Sequence, residues 1–498
     1  MNTEAIKETD HVSWWKPVLF AALAGGMGWG IRGQYGHETG AMNAGVMVSL
    51  VLAYLLCGKL NTTTLVRGVA MGTVAMGIGG SMTYGQTVGL THNGNVVGNA
   101  DALRWGLLGL SIKGGIWIGF CGAFLGMGMS GYRYRSGHIL ALMLAVLGAF
   151  LIGTRLLNYP FNPGGKELPY LYFSDAWQWH DTEDIKPRRE VWGGLLLALG
   201  TVIVYAGWWA KDTLGRNMGL WGFLGGAIGF PTGQCIQAYH AWNHEKFTVG
   251  IWEKLGPLTN WWNMMETTFG AIMGGVLGLG LWLNRKKIGR LADMEPDRPI
   301  PYLVEIVLLA IHCTLLFYVE FRAVRQIDVL YDLGLIMAII PFVAVVGGRL
   351  WPYLVIFPIT LMPIAGKTVR QLIYRESGAD GVLNAADPSL SFGRAIVEYP
   401  LWFPYFIVPM AISLAATMIF FARHRSRSSD PHFAGIGLLI TGWTFFLLNW
   451  AFFQYPWPWG EWTSRTPNGI IFTICIFSLT GMVAARFIPR SNSPTPSD

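Results

Sequence analysis

Residues 104–130 read RWGLLGLSIKGGIWIGFCGAFLGMGMS. Apart from Arg104 and Lys113 the stretch carries no charge, and it exceeds the roughly 20 helical residues that cross a bilayer core. Its glycines, Gly114, Gly119 and Gly122 among them, would weaken a helix in water. In lipid, where no hydrophobic drive pulls helices together, small residues let backbones approach closely. The segment therefore predicts a membrane helix packed through a glycine face.

The rest of the chain follows this pattern. Of 498 residues, 52% are hydrophobic and only 13% are Asp, Glu, Lys or Arg, against about 25% charge in a soluble globular domain. Mean hydropathy is +0.39. Aromatic residues make up 14%, too many for a disordered chain. A soluble enzyme, a nucleic-acid module and a fibrous protein are excluded, leaving an all-α polytopic integral membrane protein. Apolar runs predict about fourteen spans: 17–36, 40–58, 65–90, 104–130, 137–155, 191–210, 218–240, 264–284, 301–320, 330–348, 350–366, 399–422, 433–454 and 468–488.

The formal charge is +7, and the basic residues sit in loops, where they match topology and lipid headgroups better than nucleic acid. Lys59, Arg67, Arg133, Arg135, Lys211, Arg216 and the run from Arg285 to Arg290 fall in short loops on one side. The positive-inside rule then places residues 1–16 in the cytoplasm and the chain in the plasma (inner) membrane. The opening MNTEAIKETDHVSWWKP lacks a basic n-region leading into a short apolar core, so the first apolar segment is expected to be retained. The five cysteines form no CxxC pair and read as small apolar fillers.

Composition divides the chain. Fifty-one of the 64 glycines lie before residue 291. Residues 17–284 form a glycine-rich transmembrane bundle of about eight spans, 285–300 a charged cytoplasmic linker, 301–488 a second bundle of about six spans, and 489–498 a polar tail expected to be disordered.

Within the first part, three segments share a pattern: Gly25-x7-Gly33-Gln34 followed by His37 and Glu38, Gly77-x7-Gly85-Gln86 followed by His92, and Gly225-x7-Gly233-Gln234 followed by His240. The next helix repeats as well: Gly114, Ile116, Gly119 and Gly122 match Gly270, Ile272, Gly275 and Gly278. The span count gives the copies one orientation, so this internal repeat is parallel. The alternative is packing glycines with polar residues at a water interface.

Polar side chains at membrane depth are costly unless paired or hydrated. Glycine beside them lets a helix break where it lines a cavity. The expected site is thus a polar cavity, open to the outer face, contacting solute through Gln34, Gln86, Gln234, Arg32, His37, Glu38, His92 and His240. Interhelical hydrogen bonding is the plainer reading of the glutamines. Arg32 is expected to snorkel to the outer headgroups, to pair with Glu38 or to meet an anion, and Lys113 to need water or a carboxylate, for which Glu266 is the candidate. His240 and His244, four residues apart and followed by Glu245, are weak metal candidates, and no metal or other cofactor is predicted. Most tryptophans fit an aromatic belt at headgroup depth. There is no GxxxxGK[ST] loop and no GxSxG elbow, which argues against ATP hydrolysis and an α/β-hydrolase site.

The expected function is a transporter or permease for a small polar solute such as a sugar, with membrane lipid as its surroundings. An integral membrane enzyme acting at the outer face on a lipid-linked or envelope substrate is the alternative, and a non-catalytic subunit of a membrane complex the second. No sequence feature sets the number of copies.

Overall fold

The computed structural model describes residues 12–36, 39–57, 62–82, 84–165, 167–174, 187–289, 301–322, 326–327, 349–376, 400–426, 432–454 and 460–485. Its long elements are α1 (Trp15–Arg32), α2 (Thr39–Leu56), α3 (Thr62–Ile78), the short α4 (Gly85–His92), α5 (Ala100–Met129), α6 (Ser136–Leu157), α7 (Trp192–Val204), α8 (Thr213–Trp242), α9 (Trp261–Leu283), α10 (Tyr302–Arg322), α11 (Ile356–Glu376), α12 (Val408–Ser426), α13 (Phe433–Phe452) and α14 (Thr466–Ala484). The described residues contain no strand.

Nine helices among the described residues are long and apolar enough to cross a membrane, where fourteen spans were expected. The expected span 330–348 lies outside the described residues. α1 and α8 are long, but glycine and polar residues dilute their hydropathy, and they are not among the nine. The single span expected at 65–90 is broken: α3 ends at Ile78, a tight turn covers Gly79–Ser81, and α4 starts afresh at Gly85. Consecutive glycines there remove the side-chain packing that would carry the helix onward.

Local signals set several helix starts. Asn99 accepts from the Asp101 and Ala102 amides at 3.1 and 3.0 Å. Asp212 accepts from Gly215 at 2.9 Å and Asn260 from Asn263 at 2.8 Å. These caps satisfy amides that have no partner within the helix. Inside α8, Pro231 has no N–H for the carbonyl four residues back. That carbonyl, of Ala227, instead accepts a 2.8 Å bond from the Ser111 hydroxyl of α5.

Six helices close into a ring in the order α1, α2, α3, α5, α8, α9 and back to α1. The glycine contacts show antiparallel neighbours. Between α1 and α9, Gly25 lies on Gly270, Ala21 on Gly274 and Pro17 on Gly278. Between α5 and α8, Gly114 lies on Gly226, Ile118 on Gly222 and Gly126 on Leu214. A methyl group at any of these glycines would overlap the facing chain. Dispersion between close backbones, summed over each interface, therefore holds the ring.

Two units flank it. The α6–α7 pair, in backbone contact at Gly153 and Gly193, leans on α5 and α8. On the opposite edge, α11, α13 and α14 pack against α1 and α2. α6 and α12 are mostly exposed, with about a fifth of each buried, as expected of helices whose outer faces meet lipid.

Candidate functional site

The ring is filled with aromatic side chains. Trp29 of α1 meets Trp117 of α5 edge-on at 5.0 Å and Phe269 of α9 at 4.5 Å between ring centroids. Phe269 stacks on Phe230 of α8 at 4.6 Å. Tyr84, in the break before α4, lies 5.6 Å from Trp117 and 5.5 Å from Phe230. The Trp117 indole donates to the Met76 carbonyl at 2.7 Å, near the end of α3.

Into this cluster projects Arg32, the last residue of α1, with its side chain 1% exposed. Its guanidinium carbon lies 5.1 Å from the Trp29 ring, 5.2 Å from Tyr84 and 5.4 Å from Trp117. Three π faces at that range attract a cation. Nη1 donates to Glu266 Oε1 at 2.9 Å, and Nη2 donates to the Tyr84 hydroxyl. The Glu266 carboxylate, 2% exposed, also accepts from the Trp262 indole at 3.2 Å and from the Asn263 amide at 3.3 Å. Asn263 Nδ2 also donates to the Gly30 carbonyl at 2.6 Å. Gly33 is glycine for a local reason: a methyl there would strike the Glu266 carboxylate.

A second buried pair lies nearby. Lys113 of α5 donates to Glu190 at 2.6 Å and to Thr87 at 2.8 Å. Glu190 also accepts from the Ser174 hydroxyl at 2.6 Å and the Phe173 amide at 2.9 Å. The expected Lys113–Glu266 pair is therefore corrected: each cation has its own carboxylate, and Glu266 belongs to Arg32. The Lys113 network fastens Phe173, Ser174 and Glu190 to the ring. Glu38, the expected partner of Arg32, lies outside the described residues, as does His37.

The three glutamines have separate neighbours. Gln34 is half-buried beside a crevice of about 20 Å³, shared with Asn263, Asn449, Arg465 and Asn468, room for about one water. Gln86 donates to the Ser174 carbonyl at 2.7 Å and accepts from Arg188 at 3.3 Å. Gln234 donates to the Thr91 hydroxyl at 2.6 Å. Their neighbours thus describe three places instead of the single chamber expected, because the segment holding each Gly-Gln differs: a helix end, the first turn of a short helix, and the interior of α8.

Among the histidines, His92 donates from Nδ1 to the Val88 carbonyl at 2.9 Å and meets Trp262 edge-on at 6.0 Å. Burial pushes its imidazole below the usual range, and the Val88 bond opposes part of that. His240 stacks on Trp261 at 4.4 Å and meets His244 at 5.7 Å. Among the described residues no three His, Cys, Asp or Glu side chains gather in a metal-binding group, so His240, His244 and Glu245 gain no further ligand there.

The chain matches no family model, no curated protein and no solved structure. The site must be read from its own geometry. Sequence reasoning missed the aromatic cage and Asn263. The one local signal was Trp29, three residues before Arg32 and so on its face of α1.

Proposed function

We propose that the chain is a multi-pass membrane transporter for a small polar solute, with the Arg32–Glu266 cluster at its centre and the N-terminus cytoplasmic. The observation that carries this is the placement of a fully buried, caged ion pair where α1 ends and the chain breaks between α3 and α4. Charged side chains in a membrane interior are expensive and commonly mark solute or ion pathways. Interrupted helices offer backbone carbonyls at such sites, and the Gly30 and Met76 carbonyls are bonded by side chains here.

The ring adds support. Its order alternates the three helices that lead to a Gly-Gln (α1, α3, α8) with the three that follow (α2, α5, α9). We read it as three hairpin repeats about a pseudo-threefold axis, diverged so that only the first supplies Arg32. The aromatic filling makes this a closed state, in which a solute enters only when the cage rearranges.

The test is uptake of labelled monosaccharides and small carboxylic acids into proteoliposomes, comparing the natural chain with Glu266→Gln and Arg32→Lys. Monodisperse elution of each variant controls for folding. A hydrogen bond to a charged group contributes about 1.5–3 kcal/mol, so uptake of the transported solute should fall roughly tenfold or more in each. Uptake no faster than into empty liposomes for the whole panel, or undiminished in both variants, would overturn the reading.

A further inference from the structure

We infer that the outer groove between α6 and α7 is a binding site for one phospholipid with an anionic headgroup. The inference rests on reading the chain as membrane-spanning, but not on transport.

The two helices touch at Gly153 and Gly193 and part toward the other end, leaving a groove of about 790 Å³. Its floor is small and apolar, with Ala141, Ala145 and Ala149 on α6 and Gly200 on α7. The space above Gly200 is open. The groove continues into the exposed face of α6, where Leu144 and Leu151 are more than half exposed. A surface of this kind in a membrane helix meets acyl chains.

The wide end has a different chemistry. The π-helical turn Tyr205–Trp209 closes it, with Trp208 and Trp209 exposed by 81% and 73%. Exposed tryptophans of this sort settle at headgroup depth. Three basic residues flank this end. Tyr134 and Asp212 are bonded at 2.6 Å, which brings their chain neighbours Arg135 and Lys211, both exposed, to one corner. The Arg216 side chain lies across Gly207 in the same turn. The acid at this corner, Asp212, is buried and its oxygens are engaged by Tyr134 and the Gly215 amide, so they do not face the groove's solvent-exposed end. An apolar trough ending in tryptophans and three basic groups is complementary to an acyl chain carrying an anionic headgroup.

The experiment is native mass spectrometry of the delipidated full chain, titrated with phosphatidylglycerol or phosphatidylcholine of identical acyl chains. Phosphatidylglycerol should bind first and more tightly. Replacing Arg135, Lys211 and Arg216 by glutamine should weaken it by about fivefold per cation, leaving phosphatidylcholine unchanged. Gly200→Phe, which has room for its ring, should displace both lipids. Equal affinity for the two lipids, or unchanged phosphatidylglycerol binding in the triple variant, would overturn the inference. So would a dimer that dissociates on Gly200→Phe without any lipid adduct, since the groove would then be covered by a second copy. None of these readouts involves transport, so failure here leaves the uptake result standing, and the reverse.

Discussion

Arg32→Leu alone, or Glu266→Leu alone, should destabilise the folded chain in detergent by about 3–5 kcal/mol, while the double leucine variant should recover most of that loss. Each single change leaves one buried charge without the other: Arg32 among Trp29, Tyr84 and Trp117, or Glu266 beside Trp262 and Asn263. The remaining group then keeps its desolvation cost without the attraction of the pair. The double change removes both charges and leaves an apolar filling. Thermal or denaturant unfolding followed by tryptophan fluorescence reads the cycle. The double variant should also be inactive in uptake, because a pair kept only for stability would be dispensable once leucine replaces it. A double variant as unstable as the sum of the singles would mean that hydrogen bonds from Asn263 and Trp262, left unsatisfied, dominate the energetics.

Gly226→Leu should be as damaging, by another route. Its Cβ would overlap the Gly114 carbonyl, and that atom belongs to the backbone, which no rotamer can move. α5 and α8 must separate, and the ring opens at the interface that also carries the Ser111–Ala227 bond. Overpacking usually costs about 1–3 kcal/mol. The loss here should reach or pass the top of that range and appear as failure to elute as a monodisperse species. Gly148→Leu on α6 is the control: nothing lies within 4 Å of its Cβ, so it should be neutral. Equal behaviour of the two variants would show that backbone contact does not hold the ring.

The difference between those glycines marks how far the sequence could be read. Apolar runs and their lengths mark out most helices, because hydropathy is a local property. The glycine matches at 114 and 270 flag close packing, and in the structure both glycines lie against a neighbouring backbone. What local pattern does not contain is the partner. Arg32 and Glu266 are 234 residues apart, and Lys113 and Glu190 are 77 apart. Pairing by proximity along a repeat suggested Lys113 with Glu266, whereas the ring places α9 beside α1 and leaves Lys113 facing Ser174 and Glu190. The glutamines show the same limit. An identical Gly-Gln dipeptide ends as a crevice wall at Gln34, a loop anchor at Gln86 and an interhelical bond at Gln234, since each meets different neighbours. The break after Ile78 was visible only as extra glycine within a long apolar run.

On the transporter reading, a solute passes through the ring by way of the aromatic cage. The most direct test places a thiol at its heart: Phe269→Cys in a chain whose five native cysteines are replaced by alanine, reconstituted in vesicles and exposed to a membrane-impermeant methanethiosulfonate. A working pathway predicts modification when the reagent is offered from either side, slowed by the transported solute. A folded chain whose introduced thiol stays unmodified from both sides would contradict it, because the cage would then be a permanently dry core.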